Sequence, residues 1–238
     1  AFAEYACVDA SLAAKVPDSV DLTMAAGVPL AGLTALQCLR DELQVQPGQR
    51  LFISGGAGGV GTFALQLAKR FGADVTTTAS ARGEALVRRL GADRVIDYIH
   101  ERFWEGLKDM DGALDLVGGD TLDHCFEIVK RGGRVVSIAG LPEPATARRD
   151  LDAGPGLAAL FWLISMKWRR LARRHGVTYR YKFMHPSGAE LAELAGMLAK
   201  NELQIVVDRV FPFEAIGDAF AYLEKGRAKG KVIVTMEG

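Results

Sequence analysis

Gly56, Gly58 and Gly61 are spaced as G-x-G-x-x-G within the run Leu51-Phe-Ile-Ser-Gly-Gly-Ala-Gly-Gly-Val-Gly61. A short apolar strand enters this cluster, and an amphipathic stretch from Val60 to Phe71 leaves it. Strand, turn and helix in that order are the context that gives the pattern meaning. Glycine lets a backbone turn sharply and approach a pyrophosphate, whose charge then rests at a helix N-terminus among free N–H groups. The chemistry implied is dinucleotide binding.

Residues about 20 positions beyond such a loop choose between dinucleotides. Here the second strand reads Asp74-Val-Thr-Thr-Thr78 and runs into Ala79-Ser80-Ala81-Arg82, with no acid between Val75 and Gly83. A carboxylate at this place bonds a ribose 2′-hydroxyl and repels a 2′-phosphate. The hydroxyl of Ser80 and the guanidinium of Arg82 would welcome the phosphate, through a charge-assisted bond worth about 1.5–3 kcal/mol. NADP is the expected cofactor.

Other chemistry has little footing. His100, His124, His175 and His185 stand apart from any carboxylate or cysteine at a metal spacing. Cys7, Cys38 and Cys125 are scattered and lack C-x-x-C spacing, so reduced thiols are expected rather than disulfides or a metal cluster. Neither a metal ligand nor a catalytic side chain is assigned. The formal net charge of zero exerts no pull toward nucleic acid or membrane. Leu157 to Met166 is apolar but falls short of the ~20 residues of a membrane span. A reducing, cytoplasmic compartment and a small-molecule substrate are expected.

The elements that must position these residues alternate regularly from Arg50 onward. Strands at 50–54, 74–78, 94–97, 113–117 and 134–139 are interleaved with helices at 60–71, 82–90, 101–108 and 120–130. That pattern implies an α/β fold, a doubly wound parallel sheet of the Rossmann type with right-handed crossovers. Upstream, strand-like patches run from Ala1 to Pro17, and a helix over Leu22 to Leu39 is interrupted around Pro29 and Gly32. Because the chain opens on Ala1 inside a strand-like stretch, a trimmed N-terminus is expected. Downstream, Leu141 to Pro155 is a proline-rich excursion. A helix follows from Gly156 to His175, apolar first and then basic, and a strand from Thr178 to Met184. Ser187 and Glu190 form a capping box for a helix to about Lys200. Strand Ile205–Val210, helix Phe213–Lys225 and strand Lys231–Met236 close the chain.

The chain resembles the medium-chain dehydrogenase/reductase superfamily, in its zinc-independent quinone oxidoreductase-like branch. The likeness rests on Ala3-Glu-Tyr5, Pro29-Leu-Ala-Gly-Leu-Thr-Ala35, Gly55-Gly-Ala-Gly-Gly-Val-Gly61, Leu90-Gly-Ala-Asp-Arg-Val-Ile-Asp-Tyr98, Asp115-Leu-Val-Gly-Gly119, Gly132-Gly-Arg-Val-Val-Ser137, Val210-Phe-Pro-Phe-Glu-Ala-Ile-Gly-Asp-Ala219 and Gly226-Arg-Ala-Lys-Gly-Lys-Val-Ile-Val234. The resemblance implies that residues 1–31 end a GroES-like β substrate domain with its linking helix. It makes 32–184 the NADP-binding domain, and 185–238 a segment returning toward the substrate domain. It further implies that Ala57, Gly58, Gly59 and Val60 cradle the pyrophosphate and that Ser80, Arg82 and Tyr98 hold the 2′-phosphate. Thr34, Val117, Ile138, Ala139 and Gly140 would lie near the nicotinamide, and Arg227, Ala228, Lys229 and Lys231 in a segment closing over the cofactor. Zinc is not implied, since Ala25 to Leu33 holds neither Cys nor His where the superfamily's zinc enzymes place a cysteine. A homodimer joined at the edge of the cofactor domain is expected.

The function expected is NADPH-dependent hydride transfer to a quinone, an enone or another α,β-unsaturated carbonyl. The alternative is an NADPH-binding structural or regulatory module without catalysis.

Overall fold

The computed structural model describes residues 2–3 and 5–236 of the 238-residue chain. Six parallel strands, β1 (Arg50–Ile53), β2 (Asp74–Ala79), β3 (Arg94–Asp97), β4 (Met110–Asp115), β5 (Val129–Ser137) and β6 (Thr178–Tyr181), lie in the order β3-β2-β1-β4-β5-β6. Helices α1 (Leu22–Ala25) and α2 (Pro29–Gln37) precede the sheet. Its crossovers carry α3 (Gly61–Arg70), α4 (Ala81–Arg89), α5 (Phe103–Gly106), α6 (Gly119–Ile128), α7 (Pro155–Ile164) and α8 (Met166–His175). Helix α9 (Gly188–Ala199), strand β7 (Val207–Pro212), helix α10 (Ile216–Glu224) and strand β8 (Lys231–Thr235) follow, with β7 and β8 paired as a separate parallel ribbon. This is the doubly wound α/β sheet that the alternating pattern implies. Its order reverses between β1 and β4, which opens a crevice at their C-terminal ends.

Both faces of the sheet are covered, so its strands read as near-continuous apolar runs. Leu51, Ile53, Val75, Leu114 and Val136 pack on one face in a cluster that includes residues of α2, α3, α4 and α9. Phe52, Ile96, Ala113 and Val135 point the other way, into a cluster with residues of α5, α6 and α8.

Several elements depart from their expected bounds. The N-terminal stretch forms no strand among its described residues and holds one 3-10 turn at Ala10–Leu12, while Ala1 and Glu4 lie outside the described residues. Without a neighbour to ladder against, strand-like composition does not make a strand. Gly32 does not interrupt α2. A Cβ there would stand 2.9 Å from Cδ1 of Leu194, so the glycine lets α9 close against the helix. The helix expected over 156–175 is two helices meeting at Ser165, whose hydroxyl donates to the Phe161 carbonyl at 2.6 Å and competes with the backbone ladder. The helix expected at 101–108 is the single turn of α5. Strand β5 starts earlier, at Val129, because it also pairs with Met110 ahead of a register shift. The capping box is half formed. Ser187 Oγ accepts the Glu190 N–H at 3.3 Å, but the Glu190 carboxylate is taken by Gln37 at 2.7 Å and by Arg40.

Edge strand β6 ends where buried charge gathers. The Arg180 guanidinium meets Glu42 at 3.2 Å, Glu143 at 2.8 Å and Asp150 at 2.6 Å, and the Lys182 ammonium lies 3.5 Å from Glu42 and 3.4 Å from Asp150. The carboxylates come from the turn after α2 and from the proline-rich excursion, so one guanidinium joins three segments. Removing one partner from such a group leaves uncompensated charge in the interior, at a cost of about 3–5 kcal/mol. Thr146 and Arg180 also donate to the Tyr181 carbonyl, at 2.9 Å and 3.0 Å, which caps part of the exposed edge.

Candidate functional site

The glycine run sits at the C-terminal end of β1, in the crevice where strand order reverses. Each fingerprint glycine answers a different constraint. A Cβ on Gly56 would overlap the Thr77 hydroxyl, and one on Gly61 would overlap the Gly55 carbonyl and press on Gly56. A Cβ on Gly58 would meet only the Gly55 carbonyl, at 3.3 Å, leaving that side of the loop open to an incoming group. Strand β2 holds the turn: the Gly55 N–H donates to Thr78 Oγ1 at 2.9 Å, the Gly56 N–H to the Thr78 carbonyl at 3.2 Å, and Thr77 Oγ1 to the Ile53 carbonyl at 2.6 Å. Val60, the N-cap of α3, offers no side-chain acceptor to the first turn, so the helix start faces the loop uncapped. An anion fits there, bound by backbone donors and the positive end of the helix.

Three strands end on one buried carboxylate. Asp115 accepts from Ser54 Oγ at 3.1 Å and Ser137 Oγ at 2.7 Å, and from the N–H groups of Val117 at 3.2 Å and Gly118 at 3.0 Å. The two serine oxygens then accept from the next turns, Ser54 from the Leu116 N–H at 2.8 Å, Ser137 from the N–H groups of Ala139 at 3.1 Å and Gly140 at 2.8 Å. All three side chains are fully buried. None of these three residues is among those expected at the site. The signal of the network is one polar residue closing each of three apolar runs, at Ser54, Asp115 and Ser137, positions that face each other across the parallel register.

The structure brings most of the expected site residues together. A Cβ on Gly55 would lie 3.2 Å from Cγ2 of Val117, and one on Gly118 would lie 2.6 Å from the Ala139 carbonyl, so loop, β4 turn and β5 turn share one wall. Ile138 packs with Ala57 and Val60 against the same core. On the other side, Ser80 caps α4 without a side-chain bond, Arg82 is exposed, and Gly83 comes within 3.2 Å of the Ala57 methyl when a Cβ is built on it. The segment Arg227 to Lys231 returns here, with the Gly230 N–H donating to the Ala57 carbonyl at 2.9 Å. Two residues stand apart. Tyr98 is 61 % exposed and bonds neither Ser80 nor Arg82 among the described residues. Thr34 is buried in α2 with its hydroxyl given to the Leu30 carbonyl at 2.6 Å.

A parallel, doubly wound sheet with a glycine loop at its switch point defines a nucleotide-binding α/β domain. The chain belongs to the zinc-binding dehydrogenase family, whose match covers residues 90–234, within the medium-chain dehydrogenase/reductase superfamily. It is 34 % identical to "NAD(P)H oxidoreductase RTN4IP1, mitochondrial" of Danio rerio, over 98 % of this chain and 62 % of that protein. It is also 34 % identical to "NADPH-dependent alkenal/one oxidoreductase, chloroplastic" of Arabidopsis thaliana, over 98 % of this chain and 52 % of that protein. Among solved structures, the quinone oxidoreductase from Coxiella burnetii superposes with a TM-score of 0.80 at 29 % identity, over 94 % of this chain and 63 % of that one. The chain therefore spans less than two thirds of each relative's length. The family name carries zinc; among the described residues no three His, Cys, Asp or Glu side chains converge to hold a metal.

Asp115→Ala should cost about 3 kcal/mol or more in denaturant unfolding, because two hydroxyls and two N–H groups lose their acceptor together. Asp115→Asn, which keeps one acceptor oxygen, should cost less. An unchanged midpoint for the alanine variant would remove the carboxylate from its tying role.

Proposed function

We propose that this chain is the cofactor-binding part of an NADPH-dependent oxidoreductase that delivers hydride, without zinc, to a quinone, an enone or another α,β-unsaturated carbonyl. The carrying observation is the acid-free end of β2, where Ser80 and Arg82 adjoin the glycine loop through the close approach of Gly83 to Ala57. The names of the relatives, NAD(P)H and NADPH-dependent oxidoreductases and a quinone oxidoreductase, support the reaction class and the acceptor. On this reading Ala57, Gly58, Gly59 and Val60 take the pyrophosphate, and Ser80, Arg82 and Tyr98 the 2′-phosphate. Val117, Ile138, Ala139, Gly140 and Thr34 border the nicotinamide, and Arg227 to Lys231 closes the site. The bound cofactor supplies the hydride. The protein's part is to hold it in one orientation and to keep water from the reacting face, which the Val117 and Ile138 side chains favour. Water or a neighbouring hydroxyl supplies the proton.

The division into 1–31, 32–184 and 185–238 belongs to the same proposal, as does a reducing, cytoplasmic-type compartment, supported by the free thiols of Cys7, Cys38 and Cys125. Among the described residues no helix is long and apolar enough to cross a membrane. The assembly proposed is an isologous homodimer. Leu160 and Leu163 on α7 are 51 % and 56 % exposed, an apolar face that a second copy would cover. Because the Tyr181 carbonyl is already engaged, that helix face carries more of the contact than the β6 ladder does.

Calorimetry on the intact protein should show NADPH bound at least about tenfold more tightly than NADH, or about 1.4 kcal/mol. Arg82→Ala should weaken NADPH and leave NADH nearly unchanged, and equal affinities before mutation would overturn the cofactor assignment. NADPH oxidation with a simple quinone or enone tests the reaction, and tight binding with no turnover on any acceptor would mark a structural or regulatory module instead. After dialysis, elemental analysis should find zinc well below one per chain; a stoichiometric content would overturn the zinc-free reading. Replacing Leu160 and Leu163 together by Glu should turn a dimer into a monomer in light scattering while NADPH binding stays measurable. A protein already monomeric at micromolar concentration refutes the dimer.

A further inference from the structure

The formal charge of the chain is zero, but it is unevenly laid out. Between Asp152 and Glu190 there is no acid, and α8 alone carries Lys167, Arg169, Arg170, Arg173 and Arg174. A helix macrodipole welcomes cations in its last turn, which accounts for Arg173 and Arg174 and leaves the three earlier ones without that reason. Lys167 is answered by Asp123. Arg170, Arg173 and Arg174 are exposed and enter no ion pair among the described residues.

The apolar side of α8 is used inward, where Ala172 is buried and Trp168 and Leu171 pack on the core cluster shared with α6. Its outer side holds an open groove of about 400 Å³, lined by Met166, Lys167, Arg170, Leu171 and Arg174. Beside it the last turn of α7 leaves Trp162 half-exposed. The Arg169 guanidinium stands over that ring at 5.2 Å and donates to the Trp162 carbonyl at 3.4 Å. No residue of α7 has a polar side chain, and a helix apolar all round needs cover on every side. The homodimer proposed above covers the side of Leu160 and Leu163. Trp162 follows Leu160 by two residues, about 200° round the helix, and faces elsewhere.

We propose that α8, together with Trp162, docks this protein on an anionic phospholipid surface, the arginines taking headgroup phosphates and Trp162 settling at headgroup depth. Cations beside an interfacial tryptophan are the chemistry of a membrane surface. A groove that joins cationic side chains to apolar Met166 and Leu171 suits a molecule with a phosphate at one end and an acyl chain at the other. A nucleic acid offers the phosphates without the acyl chain, and Arg169 already holds one face of the ring on which a base would stack. The docking goes beyond the cofactor reading and does not depend on which dinucleotide or acceptor the crevice takes.

Sedimentation of the intact protein with vesicles tests it. The protein should pellet with phosphatidylcholine–phosphatidylglycerol vesicles of about 2:1 composition and stay in solution with phosphatidylcholine alone, and salt at about 1 M should release it. Arg170→Gln, Arg173→Gln and Arg174→Gln together should weaken the binding about tenfold or more, and Trp162→Ser several-fold, with NADPH affinity as in the parent. Should a variant fail to fold, the unmutated protein still answers, since phosphatidylglycerol with brominated acyl chains should quench its tryptophan fluorescence. Equal pelleting with both vesicles, pelleting indifferent to salt or to the triple substitution, or unquenched fluorescence would each overturn the docking. So would a DNA or RNA duplex that binds more tightly than the anionic vesicles and displaces the protein from them, which marks α8 as a nucleic-acid surface. A protein that pellets with the anionic vesicles but binds no NADPH loses the cofactor reading and keeps this one; the converse removes the docking alone.

Discussion

A single carboxylate holds the mouth of the sheet together. Strands β1, β4 and β5 converge at their C-terminal ends with their turns diverging to opposite faces, and the backbone groups released there have no ladder partners. Asp115 answers this by accepting from four donors, two of them hydroxyls that in turn accept from further N–H groups. Placing a carboxylate in the interior is costly unless every lone pair is used, and here the surrounding donors use them. The turns carrying Val117, Gly118, Ala139 and Gly140 are therefore set before any ligand arrives. Pre-set walls reduce the ordering cost of binding, which is a direct gain in affinity.

Much of this architecture is legible in the residues. The alternation from Arg50 to Ser137 reports a parallel sheet because strands buried on both faces and amphipathic helices have different periods, and short crossovers leave few ways to connect them. The fingerprint glycines are legible because their constraint is local: atoms of the same turn or the next strand exclude a Cβ at Gly56 and Gly61, while Gly58 keeps one side of the turn open. What escapes is whatever depends on distant partners. Among its described residues the N-terminal stretch has strand-like composition but pairs with no strand. Glu190 looks like the second half of a capping box, yet Gln37 and Arg40 reach it first. Gly32 looks like a helix breaker until α9 is seen to need the space. In each case a local propensity of a few tenths of a kcal/mol to about 1 kcal/mol yields to a tertiary contact worth more.

The buried charges around Arg180 show the same principle at higher cost. Nothing in the local sequence marks Glu42, Glu143 and Asp150 as neighbours, because Glu42 lies in the helical turn that continues α2 and the other two in the proline-rich excursion, and they meet only when β6 takes its place at the edge. The nearby Cys38 thiol is fully buried and its pKa is pushed up by desolvation, so it stays protonated and inert beside them. Such a cluster fixes which way the proline-rich excursion folds more than it adds to stability, since apolar packing of the same volume would serve the latter equally well.

The contact between Lys229 and Arg82 joins residues 147 positions apart. Loops of that length close at modest entropic cost, but they close late. The crossover helices and most of the sheet, built from neighbouring segments, can condense before β7 and β8 dock. The crevice at the switch point is completed afterwards, because its floor belongs to the sheet while the segment around Gly230 reaches it from beside β8. The wall that Gly230 adds beside Ala57 is therefore a late product of folding, laid onto a sheet that already has its shape.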